Sequence, residues 1–198
     1  MRKNTGNKKR IMVILSTLIT ISLLSGCIHI TIPYQEKPQK PTEAPTIDTS
    51  EERFNQFKET TLGLSIAEYE IVTIDERKIA LKDIRENAVL VFADIMCPAC
   101  EMLIPEILKV ANAGHPVIYV YPFDSTQMVY EHLESYSELL EMSHVYVISE
   151  DSSDTATALK EHIRPIFFPT ILFLELGEIY DATYGAVPSF FIQDTLSR

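Results

Sequence analysis

Basic side chains, glycine and cysteine are all scarce in this chain, and each shortage closes off a class of function. Lys and Arg number 17 against 28 Asp and Glu in 198 residues. Five of the 17 (Arg2, Lys3, Lys8, Lys9 and Arg10) fall within the first ten positions, so 12 remain to face the 28 acids. A surface with more than two acids per base repels nucleic acid and anionic lipid, and neither is an expected partner. The six glycines form no GxGxxG loop, so no nucleotide or flavin motif is present and no cofactor is expected. Of the three cysteines, Cys97 and Cys100 stand three residues apart. A disulfide that staples a fold gains more by closing a longer loop, so a purely structural role for this pair is disfavoured.

The first 26 residues read as a segment separate from the globular part. Their charge is wholly basic, and the apolar stretch Ile11 to Leu24 is broken only by Ser and Thr. Fourteen residues are too few to span a bilayer comfortably and match the h-region of a signal peptide. The segment ends Leu24-Ser25-Gly26-Cys27, which resembles the lipobox of bacterial lipoproteins. That resemblance implies cleavage before Cys27, alkylation of its thiol by diacylglycerol, and a lipid anchor on the membrane. An uncleaved membrane anchor is the competing reading, and the small residues Ser25 and Gly26 favour processing over it. Either way the following domain faces out of the cytoplasm. Residues 27–49 then form a lipid-anchored linker carrying Pro33, Pro38, Pro41 and Pro45 among polar residues. An extended tether of this composition, at about 3.1 Å per residue, reaches roughly 60–70 Å.

Residues 50–198 alternate strand and helix signals. Ser50 opens a helix with Phe54 and Phe57 on one face. Tyr69 to Ile74 and Lys78 to Leu81 flank Asp75-Glu76-Arg77 as a hairpin. The run Leu90 to Ile95, apolar but for Asp94, predicts a central strand covered on both faces. A helix follows from Pro98 to Ala113, ended by Gly114 and Pro116. Then come a strand at Val117 to Tyr121, a helix capped by Ser125 and running to about Met142, a strand at Val145 to Ile148, and a short helix at Thr155 to His162. Strands at Thr170 to Leu174 and Glu178 to Thr183 turn about Gly177, and a helix at Ser189 to Leu196 ends the chain. This order predicts an α/β fold with a mixed central sheet flanked by helices.

Cys97-Pro98-Ala99-Cys100 carries the chemistry. Two thiols three residues apart at a helix start can close a disulfide and reopen it. The unpaired amides and the positive dipole end there favour negative sulfur on the first. Pro98 suits the first helical turn but removes one amide donor. The competing reading is half a zinc site. His115, His132, His144 and His162 show no paired ligand spacing to complete one, so no metal is expected.

In order along the chain, the hairpin, the strand entering Cys97-Pro98-Ala99-Cys100, Pro105 within the helix, Phe168-Pro169-Thr170 before a strand, and Gly185 after the last strand resemble a thioredoxin-fold protein of the membrane-tethered TlpA/ResA type. The resemblance covers residues 61–198 and implies a thioredoxin-like fold with an N-terminal β-hairpin extension. It implies Cys97 as exposed nucleophile and Cys100 as resolving thiol. It also implies Pro169 as a cis-proline beside the dithiol, in a loop whose Phe168, Pro169 and Thr170 meet an extended substrate chain. Phe167 and Phe168 are candidates for that groove, with at least one of them serving the core. The activity implied is thiol-disulfide exchange with protein disulfides, the electrons coming from a membrane redox partner.

Departures shape the expectation. Met96 stands where a Trp often precedes the first cysteine, and Val91 where some thioredoxins bury an acid that shuttles the resolving thiol's proton. Asp94, Glu101 and Glu106 surround the motif with no basic residue between Asp94 and Ile107. Like charge disfavours a thiolate, which predicts a reducing dithiol. Two other functions compete. A peroxiredoxin needs Thr or Ser three residues before its cysteine and Pro seven before, where this chain has Asp94 and Leu90. A non-catalytic module binding a secreted or transported peptide would keep its activity with both cysteines replaced by Ser. The acidic Glu150, Asp151 and Asp154 read as a loop and helix cap and not as a calcium site.

Overall fold

The computed structural model describes residues 49–198; the expected signal peptide, Cys27 and the linker up to residue 48 lie outside the described residues. Helix α1 (Ser50–Thr61) starts in a capping box. The Thr49 hydroxyl accepts from the Glu52 amide at 3.2 Å, and the Glu52 carboxylate accepts from the Thr49 amide at 3.1 Å, satisfying two otherwise orphaned donors. Phe54 and Phe57 turn its apolar face inward.

Strands β1 (Glu70–Val72) and β2 (Lys78–Ala80) pair antiparallel through Ile71 and Ile79 as their own two-stranded sheet, the expected hairpin. The central sheet contains β3 (Ala88–Phe92), β4 (Val117–Tyr121), β5 (Val145–Ser149), β6 (Thr170–Glu175) and β7 (Glu178–Tyr184), in the order β5-β4-β3-β6-β7. β3, β4 and β5 run parallel, while β6 and β7 are antiparallel to their neighbours. The sheet is therefore mixed, with β3 at its centre. Every residue of β3 and β4 is buried, as strands covered on both faces require.

Alternation along these strands divides two cores. Val89, Val91, Tyr119, Tyr121, Ile171 and Phe173 face one way, onto helix α2 (Pro98–Asn112) and helix α6 (Ser189–Leu196). Leu90, Phe92, Ile118, Val120, Leu172 and Leu174 face the other, onto α1 and helix α5 (Asp154–Ile163). Each large apolar side chain so buried contributes about 1.5–3 kcal/mol. The β6–β7 turn holds the Ser65–Ala67 segment by a bond from the Ile66 amide to the Gly177 carbonyl at 2.7 Å.

Two elements depart from expectation by more than two residues. The central strand ends at Phe92, not Ile95, because the chain turns at Asp94 to enter the cysteine motif. The single helix expected from Ser125 to Met142 is three pieces: α3 (Thr126–His132), a 3-10 turn (Glu134–Tyr136) and α4 (Glu138–Glu141). Ser125 is its cap as expected, accepting from the Met128 amide. The break has a packing reason. In a continuous helix, six residues at about 100° each would place Leu139 about a third of a turn off the Leu133 face. The reset lets Val129, Leu133 and Leu139 all reach the same core.

Candidate active site

The site forms where β3 ends and α2 begins. Cys97 is the N-cap of α2, extended at φ −94° and ψ 109°, and Pro98 occupies the first turn, where its missing amide costs no intrahelical bond. The Cys97 sulfur accepts from the Cys100 amide at 3.2 Å, and the Cys97 thiol donates to the Phe168 carbonyl at 3.3 Å. Both cysteines are free thiols. They differ sharply in access: Cys97 is half-buried, whereas Cys100 is 1% exposed. Burial, first, and then the hydrogen bond to the Cys97 sulfur push the Cys100 thiol far up. One thiol is open to solvent; the other lies protonated behind it.

The Phe168–Pro169 bond is cis. Its loop is tied on two sides, by the Gly185 amide donating to the Pro169 carbonyl at 2.9 Å and by the Thr170 hydroxyl donating to the Phe167 carbonyl at 2.6 Å. Phe168 packs partly into both cores and meets the Phe123 ring edge-on at 5.7 Å. Phe167 turns away to stack on Tyr184 at 5.0 Å. Thr170 is fully buried and braces the loop from behind. Cys97, Pro98, Ala99, Cys100, Phe168 and Pro169 thus converge. Met96, 83% exposed, stands at the rim, and α2 continues through Pro105.

The electrostatic surroundings are richer than the sequence window around the motif. Asp94 accepts from the Met96 amide at 2.7 Å and folds the turn into Cys97. Glu101 is exposed, and its carboxylate lies 3.5 Å from His132 Nε2. Glu106 does not serve Cys97. It lies about two and a half turns along the helix, bound by Lys109 Nζ at 2.6 Å and the Ser189 amide at 2.7 Å, which lower it to about 2. Asp124 is buried, accepts from the Ile95 amide at 3.3 Å, and is pushed up by burial and by Asp94. Lys160 places its ammonium 4.5 Å over the Phe123 ring, bringing a cation to the outer edge of the loop.

Asp124, His132, Lys160 and the buried Tyr119 and Tyr121 are the residues that sequence reasoning missed. A signal existed for the two tyrosines: at i and i+2 of a strand parallel to β3, both face the helix that carries Cys100. Asp124 follows the carboxyl end of a parallel strand, where sites in open α/β sheets gather. Among the described residues, no cluster of three or more His, Cys, Asp or Glu groups as metal ligands would, and no helix is long and apolar enough to cross a membrane.

No protein-family model matches the chain, and no curated protein matches it. Solved structures do. The chain is similar to a thio-disulfide isomerase from Thermus thermophilus at 17% identity and a TM-score of 0.54, over 69% of this chain and 94% of that one. It is similar to StoA from Bacillus subtilis at 16% identity and a TM-score of 0.51, over 70% and 99%. It is also similar to the pneumococcal exposed lipoprotein thioredoxin from Streptococcus pneumoniae at 17% identity and a TM-score of 0.50, over 65% and 97%. At these identities the likeness shows the fold, which is thioredoxin-like.

Proposed function

From this fold and this pair of thiols, we propose that the chain is an extracytoplasmic, lipid-anchored thiol-disulfide oxidoreductase that reduces protein disulfides. The observation that carries the reading is the placement of one half-buried sulfur at a helix N-terminus, against a cis-proline loop, with a second, buried sulfur one turn behind. Cys97 as thiolate attacks one sulfur of the partner's disulfide, and the other partner sulfur leaves with the electron pair. Cys100 then attacks Cys97, forming the Cys97–Cys100 disulfide and releasing the partner's second sulfur as a thiolate. Two electrons pass from the dithiol to the partner.

The extended partner chain runs along Phe168 and Pro169, whose loop Thr170 braces, while Pro98 and Ala99 set the spacing of the thiols. Negative charge at Asp94 and Glu101 supports the reducing direction. A membrane redox partner resupplies the electrons, since no nucleotide or flavin motif is present. Cys27 holds the domain outside the cytoplasm, and the name of the pneumococcal exposed lipoprotein thioredoxin among the similar structures supports that location by analogy.

Replacing Cys100 by Ser tests the reading. The variant should accumulate mixed disulfides on Cys97 that a reducing agent releases and that are absent when Cys97 is also Ser. If the variant traps no more partner than the double variant does, the oxidoreductase reading fails.

A further inference from the structure

Behind Cys100 the described residues leave three buried polar side-chain atoms without a hydrogen-bond partner: the hydroxyls of Tyr119 and Tyr121, and His132 Nε2. They belong to one cluster. The two tyrosine rings project from the same face of β4 and stack at 5.4 Å with 14° between their planes. Tyr121 meets the His132 ring edge-on at 6.0 Å. His132 closes α3, and its Nε2 approaches the Glu101 carboxylate at 3.5 Å without hydrogen-bond geometry. Glu101 is the residue after Cys100 and is exposed, so the cluster runs from beneath the resolving thiol to solvent.

Such a cluster is costly if it stays dry, about 1–3 kcal/mol for each unpaired buried group. Water bonded to such groups is the usual state of a polar interior site. The groups also divide by what they can do with a proton. Tyr119 and Tyr121 are pushed far up, by burial first and then by negative charge at neighbours that include Cys100 and Glu101, so they remain hydroxyls that relay a proton without keeping one. Asp124, whose carboxylate accepts the Ile95 amide and keeps further lone pairs free, is the competing acceptor. Of the side-chain types lining the cluster, only imidazole exchanges its proton near neutrality as a matter of course. Val91 is apolar and fully buried, so no carboxylate stands at that strand position to take the proton of Cys100.

We propose that His132 is the proton acceptor for Cys100, reached through a water held by the Tyr119 and Tyr121 hydroxyls and discharged to solvent past Glu101. The proposal rests on the oxidoreductase reading and assigns its second step. The Cys100 S–H bond breaks, its proton passes through the water to His132 Nε2, and the freed sulfur attacks Cys97. The Cys97–Cys100 bond forms as the Cys97–partner bond breaks, and the departing partner sulfur takes its proton from solvent. His132 then returns its proton to solvent past the Glu101 carboxylate.

The test uses a nitrobenzoate disulfide, which releases one coloured thiolate when Cys97 attacks and a second when Cys100 resolves the adduct. The ratio of the second rate to the first is followed against pH. The groups facing Cys100 and His132 across this range are Cys97, Asp94, Glu101, Asp124, Tyr119 and Tyr121. In the unsubstituted protein the second step should show an inflection with pH. In His132→Gln the inflection should vanish and the ratio should fall by about tenfold or more. Tyr121→Phe should lower the ratio in the same direction, and Glu101→Gln should shift the inflection. A purely structural role for His132 would lower thermal stability and slow both steps while keeping the inflection. A ratio within twofold of the unsubstituted protein in His132→Gln, or an inflection that survives there and vanishes in Asp124→Asn, overturns the proposal. Should His132→Gln not fold, unchanged ratios and inflections in both Tyr121→Phe and Glu101→Gln overturn it. If the unsubstituted protein releases no first thiolate, the oxidoreductase reading itself fails, a different result from a normal first step with an unaffected second.

Discussion

Raising the pH from 8 to 10 should destabilise the reduced protein more than a Cys100→Ala variant, and the size of the difference follows from where Cys100 sits. The thiol is 1% exposed, and burial, then the contact with Cys97, raise it far above its ordinary value. In the unfolded chain a thiol ionises near 8.5. Because the folded value is the higher of the two, the stability associated with this group is complete below about pH 8.5. It is lost as the pH climbs towards the folded value, since over that span the native state holds a proton that the unfolded state has given up. Once the unfolded thiol ionises, the loss is about 1.4 kcal/mol per pH unit. Between pH 8 and 10 it amounts to about 2 kcal/mol, and the contribution of the buried Tyr119 and Tyr121, whose unfolded forms ionise near 10, is common to both proteins and cancels in the comparison. With no tryptophan in the chain, urea unfolding is best followed by far-ultraviolet circular dichroism, under a phosphine reductant that keeps both thiols free. The alanine variant should lose about 2 kcal/mol less over the same span, and the oxidised protein, having no thiol to ionise at this position, should behave like the variant. Parallel pH profiles for the reduced protein and Cys100→Ala would refute the reasoning.

Gly177→Ala should cost about 2–4 kcal/mol. Gly177 has φ +81°, and an added Cβ would lie 2.8 Å from Ala67 Cβ and 2.9 Å from Ala67 Cα, so backbone strain and a clash with backbone combine. A thermal melt should fall by about 4–16 °C, and a shift under 2 °C would be about 1 kcal/mol or less, showing that the Ser65–Ala67 segment gives way freely. Glu106 is lowered to about 2, by Lys109 first and then by the Ser189 amide. Its contribution is complete above the ordinary glutamate value and lost as pH falls through about 2. Glu106→Gln should therefore flatten the acid limb of the stability profile between about pH 4.3 and pH 2, and an unchanged limb would remove the Lys109 and Ser189 contacts from the account.

The sheet was legible because its signal is local. Leu90 and Phe92 alternate with Val89 and Val91, and Ile118 and Val120 with Tyr119 and Tyr121, and each set feeds one of the two cores. The cysteine motif was legible for the same reason, its spacing being the geometry of one helical turn. The cis bond at Pro169 came from the resemblance and not from composition, since a proline shows its isomer only in place. The broken helix after Ser125 was misread because Leu139 reaches the core by a change of helical phase, a demand set by the sheet and invisible along the segment. His132, Asp124, Tyr119 and Tyr121 were out of reach for a related reason. They lie on β4, on α3 and in the loop between the two, well beyond Cys100 in sequence, and come near it only when α2 packs on β4. Counting charge within the motif also misplaced Glu106, which is taken up by Lys109 and Ser189, and could not reveal Lys160, which arrives at the loop from a distant helix.

A redox titration of the purified protein against glutathione, with alkylation and mass spectrometry to locate each sulfur, puts the proposed function to its most direct test. One reversible two-electron transition between the free thiols and a Cys97–Cys100 disulfide is expected, at a potential well below the roughly −120 mV of the strongest disulfide-forming oxidants. A protein whose two sulfurs never pair, or pair irreversibly, would contradict the exchange chemistry, and a potential near that of those oxidants would contradict its direction.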